Sequence, residues 1–318
     1  MLEPDRSSGE NWERKTLEKV ALAAIQEQRR ARYWSIFFKL LLFTYLFILL
    51  FLWLGWIGKK DATSTGKHTA LVELRGVIGP ESAASADNVI AGLQAAFKDK
   101  QTQGVVLRIN SPGGSPVQAG YINDEIKRLR AKYPNIPMYA VVEDICASGG
   151  YYVAVAADHI YVDKGSIIGS IGVLMDGFGF TGLMEKLGVE RRLLAAGENK
   201  GFLDPFSPIR DSQVEYAESM LQEIHQQFIT VVRQGRGQRL KETPELFSGL
   251  LWVGTRSVEL GLADAIGSVD YVAREVIKAE DIVDFTPHEN VAERLARRFG
   301  AAMADTLVRS VLHPLTVR

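Results

Sequence analysis

Hydrophobic residues are concentrated in one uninterrupted stretch near the N-terminus and in short runs further along the chain. Residues 40–58 read LLLFTYLFILLFLWLGWIG and carry no charge. About 20 apolar residues in a helix, each adding about 1.5 Å, cross the hydrocarbon core of a bilayer. Aromatic residues, which favour the membrane interface, lie near the two ends of the stretch: Tyr33, Trp34, Trp53 and Trp56. The pattern predicts one transmembrane helix over residues 33–58.

Two other interpretations of this stretch fit the sequence less well. A buried core helix is rarely this long and apolar on every face. A cleaved signal peptide has a shorter apolar stretch and ends in a small-x-small site, which Trp53-Leu54-Gly55-Trp56 does not supply. Three basic residues precede the span and two follow it: Arg29, Arg30, Arg32, Lys59 and Lys60. Because cationic residues favour the cytoplasmic side, this count predicts a cytoplasmic segment over residues 1–32 and an exported bulk domain.

Beyond a polar linker over residues 59–68, the chain alternates between two periodicities. Runs of β-branched residues predict strands at 70–78, 104–110, 138–144 and 159–163. Helical patterns occupy 84–99, 116–133, 149–157 and 211–235, with shorter helices near 255–261 and 268–279. Strands alternating with helices of this length predict βαβ units and a mainly parallel sheet, in an α/β domain over residues 69–285.

The C-terminal segment, residues 286–318, has a third pattern. Apolar residues recur there every four positions, at Val291, Leu295, Phe299, Met303, Leu307 and Val311. This spacing predicts an amphipathic helix. Packing on its own domain is the simpler interpretation, and a helix on a membrane surface or on a partner is the alternative.

Composition narrows the class of protein without identifying it. The 318 residues are 47% hydrophobic and 24% charged, with a net charge of -1, which is typical of globular proteins. A balanced charge argues against nucleic acid as a partner, since phosphate binding needs an excess of Lys and Arg. The single cysteine, Cys146, excludes an intramolecular disulfide and a Cys-rich zinc site. No motif suggests a metal or another cofactor, and we expect none.

Three glycine-containing segments follow or end predicted strands. In the first, Asn110-Ser111-Pro112-Gly113-Gly114-Ser115, adjacent glycines let the backbone turn sharply, so that N–H groups can hold a developing oxyanion. An ordinary strand-to-helix turn is the alternative. The third, residues 165–173, places small and hydroxyl residues where a second layer of a site could lie, or is a glycine-rich turn entering a strand.

The second segment is Cys146-Ala147-Ser148-Gly149-Gly150, between a predicted strand and an apolar helix. A serine at a helix N-terminus lies where free N–H groups favour an alkoxide or oxyanion. The segment is similar to a nucleophile elbow, but Cys146 stands where G-x-S-x-G needs glycine. Taken alone, Ser148 is equally well interpreted as a helix N-cap. Cys146 is expected to be a small buried residue.

A serine nucleophile needs a base, and no histidine stands in a context typical of a triad. The five are His68, His159, His225, His288 and His313. A lysine can serve instead if burial in an apolar site lowers its pKa from about 10.4, because desolvation disfavours the ammonium form. Lys200, between Gly197 and Gly201, is a candidate, although a solvated loop lysine is equally consistent with its local sequence.

Taken together, these motifs resemble signal peptide peptidase A, the serine proteases of peptidase family S49, in their short single-repeat form. The resemblance rests on N-S-P-G-G, A-S-G-G-Y-Y, I-G-S-I-G-V and a lysine bounded by glycines, and it covers roughly residues 69–280. It implies that Ser148 is the nucleophile, that Lys200 is the general base and that Ser170 orients the lysine. It also implies an oxyanion hole built from Gly113 and Gly114, with Gly149 as a further donor.

The resemblance carries further expectations for fold, partners and location. It implies a ClpP/crotonase-like βαβ spiral and a ring-like or dome-like homo-oligomer with active sites facing a cavity. It implies a single-pass protein of the bacterial cytoplasmic membrane, with its catalytic domain on the extracytoplasmic side. The implied substrates are apolar peptides, chiefly cleaved signal peptides.

Three alternative functions remain open from sequence. The same dyad could serve membrane-protein quality control. A non-catalytic membrane scaffold is disfavoured by the presence of both Ser148 and Lys200. A crotonase-type acyl-thioester enzyme shares the fold, but its substrates are soluble, which fits poorly with a membrane span.

Overall fold

The computed structural model describes residues 7–53 and 66–287, in two units that are described separately. The first contains helix α1, Ser7–Trp53. At about 1.5 Å per residue, its 47 residues extend over about 70 Å, more than twice the thickness of a bilayer core. Its part Glu18–Phe51 is long enough to cross a membrane and contains an 18-residue stretch with a mean hydropathy of 2.1. Residues 54–58 of the predicted span lie outside the described residues.

The second unit is an α/β domain with one sheet, as predicted. Its strands are β1 (His68–Arg75), β2 (Thr102–Ser111), β3 (Met138–Ala147), β4 (His159–Val162), β5 (Ile167–Gly169), β6 (Leu251–Val253), β7 (Ala265–Ile266) and β8 (Ile282–Asp284). The strand order is β6-β5-β3-β2-β1-β8, and β4 pairs with both β3 and β7. Every pairing in this described part is parallel except the antiparallel β5–β6 pair.

Helices connect the strands in βαβ units. They are α2 (Ala86–Lys98), α3 (Pro116–Lys132), α4 (Gly149–Ala154), α5 (Thr181–Lys186), α6 (Asp211–Arg236), α7 (Gly254–Glu259) and α8 (Val269–Tyr271). A 3-10 turn, Gly237–Arg239, follows α6, and a π-helical turn, Val272–Ile277, follows α8. The side chain of Ser115 caps α3 by accepting a hydrogen bond from the Gln118 N–H, and Pro116 occupies the first turn, where its missing N–H costs nothing.

The principal core lies between the sheet and helices α2 and α3. Alternate residues of each central strand face it, so that Val72, Leu107 and Ala140 are fully buried on one side. The opposite face holds a smaller cluster of buried residues, namely Leu71, Val106, Tyr139, Val141 and Val272. The mainly parallel sheet is therefore apolar on both faces along its middle, as such sheets require.

The structure corrects several predicted boundaries. Strand β1 begins at His68, which the sequence interpretation assigned to the linker, and it ends at Arg75 because Gly76 turns with φ 88°. The helix predicted over 149–157 ends at Ala154. The helix predicted near 268–279 is a single α-turn that continues as the π-turn. Linker residues 59–65 and residues 288–318 of the predicted amphipathic helix lie outside the described residues.

Candidate active site

Three strand ends bring the glycine-containing segments together. The last residue of β2, Ser111, is in register with Cys146 of β3, and Cys146 is in register with Ile168 of β5. Because these strands are parallel, the loops that follow them emerge at the same edge of the sheet. The segments after residues 111, 147 and 169 therefore meet there.

Ser148 occupies a strained turn between β3 and α4. Its φ of 52° and ψ of -122° lie in a region that residues with a Cβ rarely adopt. Two backbone hydrogen bonds hold this conformation: the Ser148 N–H donates to Gly169 O at 2.9 Å, and the Ser148 carbonyl accepts from the Tyr152 N–H at 3.0 Å. The side chain makes no capping bond to the first turn of α4. Its half-buried hydroxyl therefore does not serve as the N-cap that the sequence left open.

The loop Gly113–Gly114 packs against this turn so closely that neither residue could carry a side chain. A Cβ on Gly113 would lie 2.7 Å from the Gly149 nitrogen, and a Cβ on Gly114 would lie 2.1 Å from the Ile78 carbonyl oxygen. Both residues also have positive φ angles, 99° and 148°. Close packing against the Ser148 turn explains Gly113, and close packing against the backbone of Ile78 explains Gly114.

The N–H groups of the glycine loop are not equivalent. The Gly113 N–H donates to Ser111 Oγ at 3.1 Å in a buried hydrogen bond. Gly114 lines the cavity beside Ser148 and Gly149, and Gly113 does not. Gly149 is the first residue of α4, where backbone N–H groups have no partner within the helix. Gly114 and Gly149 thus line the same cavity as Ser148, with backbone amides that can donate to a ligand there.

Ser170 has the same kind of unusual backbone as Ser148. Its φ is 50°, and its N–H donates to Leu250 O at 2.8 Å. The preceding Gly169 is also confined, since a Cβ there would lie 2.8 Å from the same carbonyl oxygen. Ser170 lines the cavity together with Ser148, so the structure brings these two predicted site residues together.

The cavity beside Ser148 has a volume of about 530 Å³. Much of its lining is apolar and comes from three helices and the segment after β5: Ala119, Tyr152, Val173, Leu174, Ile224 and Phe228. The rings of Tyr152 and Phe228 lie 5.3 Å apart, centroid to centroid. A cavity of this size and lining fits apolar side chains of a peptide better than charged ones.

Lys200 is not among the residues that line this cavity. It lies in a turn, in which its N–H donates to Gly197 O at 3.1 Å, and its side chain is exposed. The turn belongs to residues 172–210, among which no residue is buried. The structure therefore brings together Ser148, Ser170, Gly114 and Gly149, and it leaves Lys200 outside this group.

Cys146 and Tyr151 support the turn from within the core. Burial raises the pKa of the Cys146 thiol far above its ordinary value, so the group stays a thiol and acts as a small apolar residue, as expected. Burial likewise raises the pKa of Tyr151, whose hydroxyl donates to Leu262 O at 2.8 Å. Three residues beyond Ser148, α4 is thus tied to the segment that precedes β7.

The structure shows two supporting contacts that sequence reasoning missed. The Ser111 hydroxyl holds the glycine loop, as described above. His225 of α6 lies 3.0 Å, through its Nε2, from the carbonyl oxygen of Ile171, one residue beyond Ser170. The sequence placed Ser111 directly after a predicted strand, but nothing in it placed the middle of α6 beside residue 171. Among the described residues, no group of three or more His, Cys, Asp or Glu side chains could hold a metal ion.

Comparison with known proteins places the chain among proteases. A model of peptidase family S49 matches residues 130–283. A protein of Methanocaldococcus jannaschii named as a candidate protease is 31% identical over 218 residues, covering 67% of this chain and 69% of that protein. A protein of Enterococcus faecium named as a candidate signal peptide peptidase SppA is 31% identical over 199 residues, covering 63% of this chain and 57% of its own.

Other similarities are partial. The Na(+)/H(+) antiporter NhaA of Brucella melitensis is 46% identical over 177 residues, which make up 56% of this chain and 24% of that protein. The chain thus spans about a quarter of the length of that relative. A solved structure of a ClpP1 mutant from Listeria monocytogenes aligns with a TM-score of 0.39 and 16% identity, over 62% of this chain and 91% of its own. On the family model and the archaeal relative, the chain belongs to peptidase family S49.

Proposed function

We propose that this protein is a membrane-anchored serine endopeptidase that degrades apolar peptides, chiefly cleaved signal peptides. The observation that carries the proposal is the Ser148 turn. A strained serine with no capping role faces an apolar cavity, flanked by two backbone amides. Strain of this kind persists where the surrounding structure enforces it, and it is common at active sites.

In the proposed acylation, Ser148 Oγ attacks the carbonyl carbon of the scissile peptide bond while Lys200 Nζ takes the hydroxyl proton. The N–H groups of Gly114 and Gly149 hold the oxyanion of the tetrahedral intermediate. The C–N bond then breaks, and the lysine returns its proton to the leaving amine. Water then attacks the carbonyl carbon of the acyl-enzyme while Lys200 takes its proton. The lysine returns that proton to Ser148 Oγ as the acyl bond breaks, which frees Ser148. Gly113, whose N–H is engaged by Ser111, supports the loop in this scheme.

Lys200 must come under an apolar cover to act as the base, because water around an ammonium group favours its charged form. The segment that carries it exposes large apolar side chains, with Leu194 96%, Phe178 80% and Leu174 79% exposed. Apolar surface exposed on this scale marks a contact surface. We propose that neighbouring copies in a ring-like or dome-like homo-oligomer, together with bound apolar substrate, cover this segment and bring Lys200 to Ser148 and Ser170.

Helix α1 is proposed to anchor the protein in the bacterial cytoplasmic membrane. Its apolar stretch is long enough to cross a bilayer, and Arg29, Arg30 and Arg32 precede that stretch. The excess of basic residues on the N-terminal side favours a cytoplasmic N-terminus and an extracytoplasmic catalytic domain. That location would place the cavity on the side where cleaved signal peptides are released.

The test uses detergent-purified full-length protein with a synthetic signal peptide and a folded soluble protein as substrates. Ser148→Ala and Lys200→Ala are each expected to lower kcat by about 10⁴-fold or more, because nucleophile and base act as a unit. Lys186→Ala, which removes another exposed lysine of the same segment, should leave kcat unchanged. Wild-type protein should cleave the peptide and spare the folded protein.

Two outcomes would overturn the proposal. Cleavage by the Ser148→Ala enzyme would remove Ser148 as the nucleophile. Absence of cleavage by wild type, in protein that retains its assembly, would favour the scaffold or the acyl-thioester enzyme, and binding of coenzyme A would distinguish these two. Cleavage of misassembled membrane proteins in preference to signal peptides would favour the quality-control function.

A further inference from the structure

We infer that Ser111 is a positioning residue for the oxyanion hole: its hydroxyl, together with the Ile78 N–H, fixes the Gly113–Gly114 peptide so that the Gly114 N–H points towards Ser148. The inference rests on the proposed function, which it deepens by assigning the alignment of one oxyanion donor to a side chain outside the dyad.

The Ser111 hydroxyl ties the glycine loop to the end of strand β1 through one donated and one accepted hydrogen bond. Ser111 is buried with 0% exposure. Its Oγ donates to the carbonyl oxygen of Gly76 at 2.7 Å and accepts from the Gly113 N–H at 3.1 Å. Gly76 directly follows β1, and its own N–H donates to Asn110 O at 2.9 Å. One hydroxyl therefore links the end of β1, the end of β2 and the start of the loop.

A second contact holds the next peptide unit of the loop. The Ile78 N–H donates to Gly113 O at 2.8 Å, and the Ser115 N–H donates to Ile78 O at 2.9 Å. Residues 113–115 are thus paired with Ile78 on one side and with Ser111 on the other. Every bond of this arrangement except the Ser111 bond is between backbone groups.

The direction of the Gly114 N–H follows from peptide geometry. The carbonyl of Gly113 and the N–H of Gly114 belong to one planar trans peptide, so they point in opposite directions. Since the carbonyl points to Ile78, the N–H points away from Ile78, to the side on which Gly114 lines the cavity. A Cβ built on Gly149 would lie 3.3 Å from the Gly114 nitrogen, which places the two proposed donors side by side.

Without the Ser111 hydroxyl, the peptide that precedes Gly113 loses its fixed orientation. Its N–H is buried and would then have no partner, so the loop would rotate to satisfy it. Gly113 and Gly114 both have φ angles that glycine reaches freely, and they offer little resistance to such a rotation. The consequence is a misaligned Gly114 N–H, with the Ser148 turn left intact.

The experiment compares Ser111→Ala, Ser111→Val and Ser111→Thr in the full-length protein, with the synthetic signal peptide as substrate. Loss of an oxyanion donor lowers kcat by about 10²–10³-fold, and we expect misalignment in the Ala and Val variants to lower it by about 10–100-fold, with KM nearly unchanged. The Thr variant keeps the hydroxyl and should retain most of the activity. Affinity for a peptide boronate, which forms an anionic tetrahedral adduct with a serine, should fall in parallel with kcat.

Ser166→Ala is the matched control. Ser166 is also buried at a turn between strands, and its hydroxyl also accepts from a backbone N–H, that of Asp163 at 2.9 Å, and donates to backbone carbonyls, chiefly that of Glu143 at 2.5 Å and more weakly that of Val142 at 3.4 Å. None of these partners lines the cavity beside Ser148. Ser166→Ala should therefore lower thermal stability much as Ser111→Ala does, and it should leave kcat and boronate affinity unchanged.

Wild-type kcat in Ser111→Ala would overturn the inference, and so would equal losses in the Thr and Val variants. If Ser111→Ala does not fold, the Thr and Val variants, which have nearly the same shape, decide the question between them. Failure of the proposed function is distinguishable, because it appears as cleavage by the Ser148→Ala enzyme or as absence of cleavage by wild type. An inactive Ser148→Ala enzyme together with a fully active Ser111→Ala enzyme would refute the role of Ser111 alone.

Discussion

The two residues of the proposed dyad lie in regions of opposite physical character. Ser148 stands at the end of a sheet whose central strands are buried on both faces. Lys200 stands in residues 172–210, which contain one short helix, α5, and no buried residue. Ser148 is held by backbone hydrogen bonds to the sheet edge and to α4, whereas Lys200 is held by a surface turn.

This difference indicates how activity can be restricted. If Lys200 is the base, a serine that is aligned in advance remains inert as long as Lys200 is solvated and outside the cavity. Covering the apolar segment 172–210, by another copy or by substrate, would then both move and desolvate Lys200. Cleavage would thus depend on assembly and on an apolar substrate, a useful restriction for a protease among membrane proteins.

The largest effect on the free energy of unfolding is expected when a glycine is replaced by alanine in each of the two regions. Gly114→Ala would set a Cβ 2.1 Å from the Ile78 carbonyl oxygen at a φ of 148°, so we expect a loss of about 4 kcal/mol or more in the free energy of unfolding. Gly182→Ala, within α5 and with nothing within 4 Å of its Cβ, should stabilise by about 0.5–1 kcal/mol, since alanine favours helix. Denaturant unfolding of both variants measures this contrast. Equal changes in the free energy of unfolding would contradict it.

A buried ion pair should matter nearly as much. Arg236, 1% exposed, binds both carboxylate oxygens of Asp264, at 2.9 and 2.8 Å. Burial acts to raise the pKa of Asp264, but the hydrogen bonds and charge of Arg236 outweigh it and hold this pKa below its ordinary value. Asp264→Asn leaves the arginine without its partner charge and should cost about 3 kcal/mol in the free energy of unfolding.

The same pair predicts the direction of the pH dependence. Because the folded-state pKa of Asp264 is lowered, its contribution to stability is complete above the unfolded value of about 3.9 and is lost as the pH falls through the folded value. Unfolding curves measured between pH 6 and pH 2 should therefore show a smaller decline for Asp264→Asn than for wild type. Parallel declines would mean that this pair does not contribute to acid sensitivity.

Replacing a leucine by alanine should cost a similar free energy of unfolding in the core and almost none in residues 172–210. Leu107 is fully buried in β2, so Leu107→Ala is expected to cost about 2–5 kcal/mol in the free energy of unfolding, including the cavity it leaves. Leu194 is 96% exposed, and Leu194→Ala should change that free energy by less than about 0.5 kcal/mol. If neighbouring copies cover the segment, Leu194→Ala should also weaken self-association measured by sedimentation. A large stability loss in the Leu194 variant would show that the segment is packed within one chain.

Periodicity located the four longest strands of the sheet, missed the short strands β5 to β8, and was insufficient for the site. The β-branched runs located β1 to β4 to within a few residues, because burial on both faces demands them. The residues that end these elements were harder to place: β1 ends at Arg75, three residues before the end of the predicted run 70–78, because the backbone turns at Gly76 with a positive φ. The π-turn after α8 has no sequence signature distinct from that of an α-helix.

The site divides in the same way. Ser148, Gly114, Gly149 and Ser170 meet because each follows a strand of one parallel sheet, which the order of motifs made predictable. The distinct roles of Gly113 and Gly114 were not predictable, since they depend on which way one peptide plane faces. The position of Lys200 was not predictable either, because no strand or buried side chain fixes its segment to the sheet.

The burial of Cys146 has a practical consequence for following the segment that carries Lys200. The chain contains one cysteine, and it is enclosed in the core, where thiol reagents do not reach it. A cysteine introduced at an exposed position such as Leu194 would then be the single reactive thiol of the folded protein. A fluorophore or spin label attached there would report directly on when the segment becomes covered, and Cys146 could stay in place.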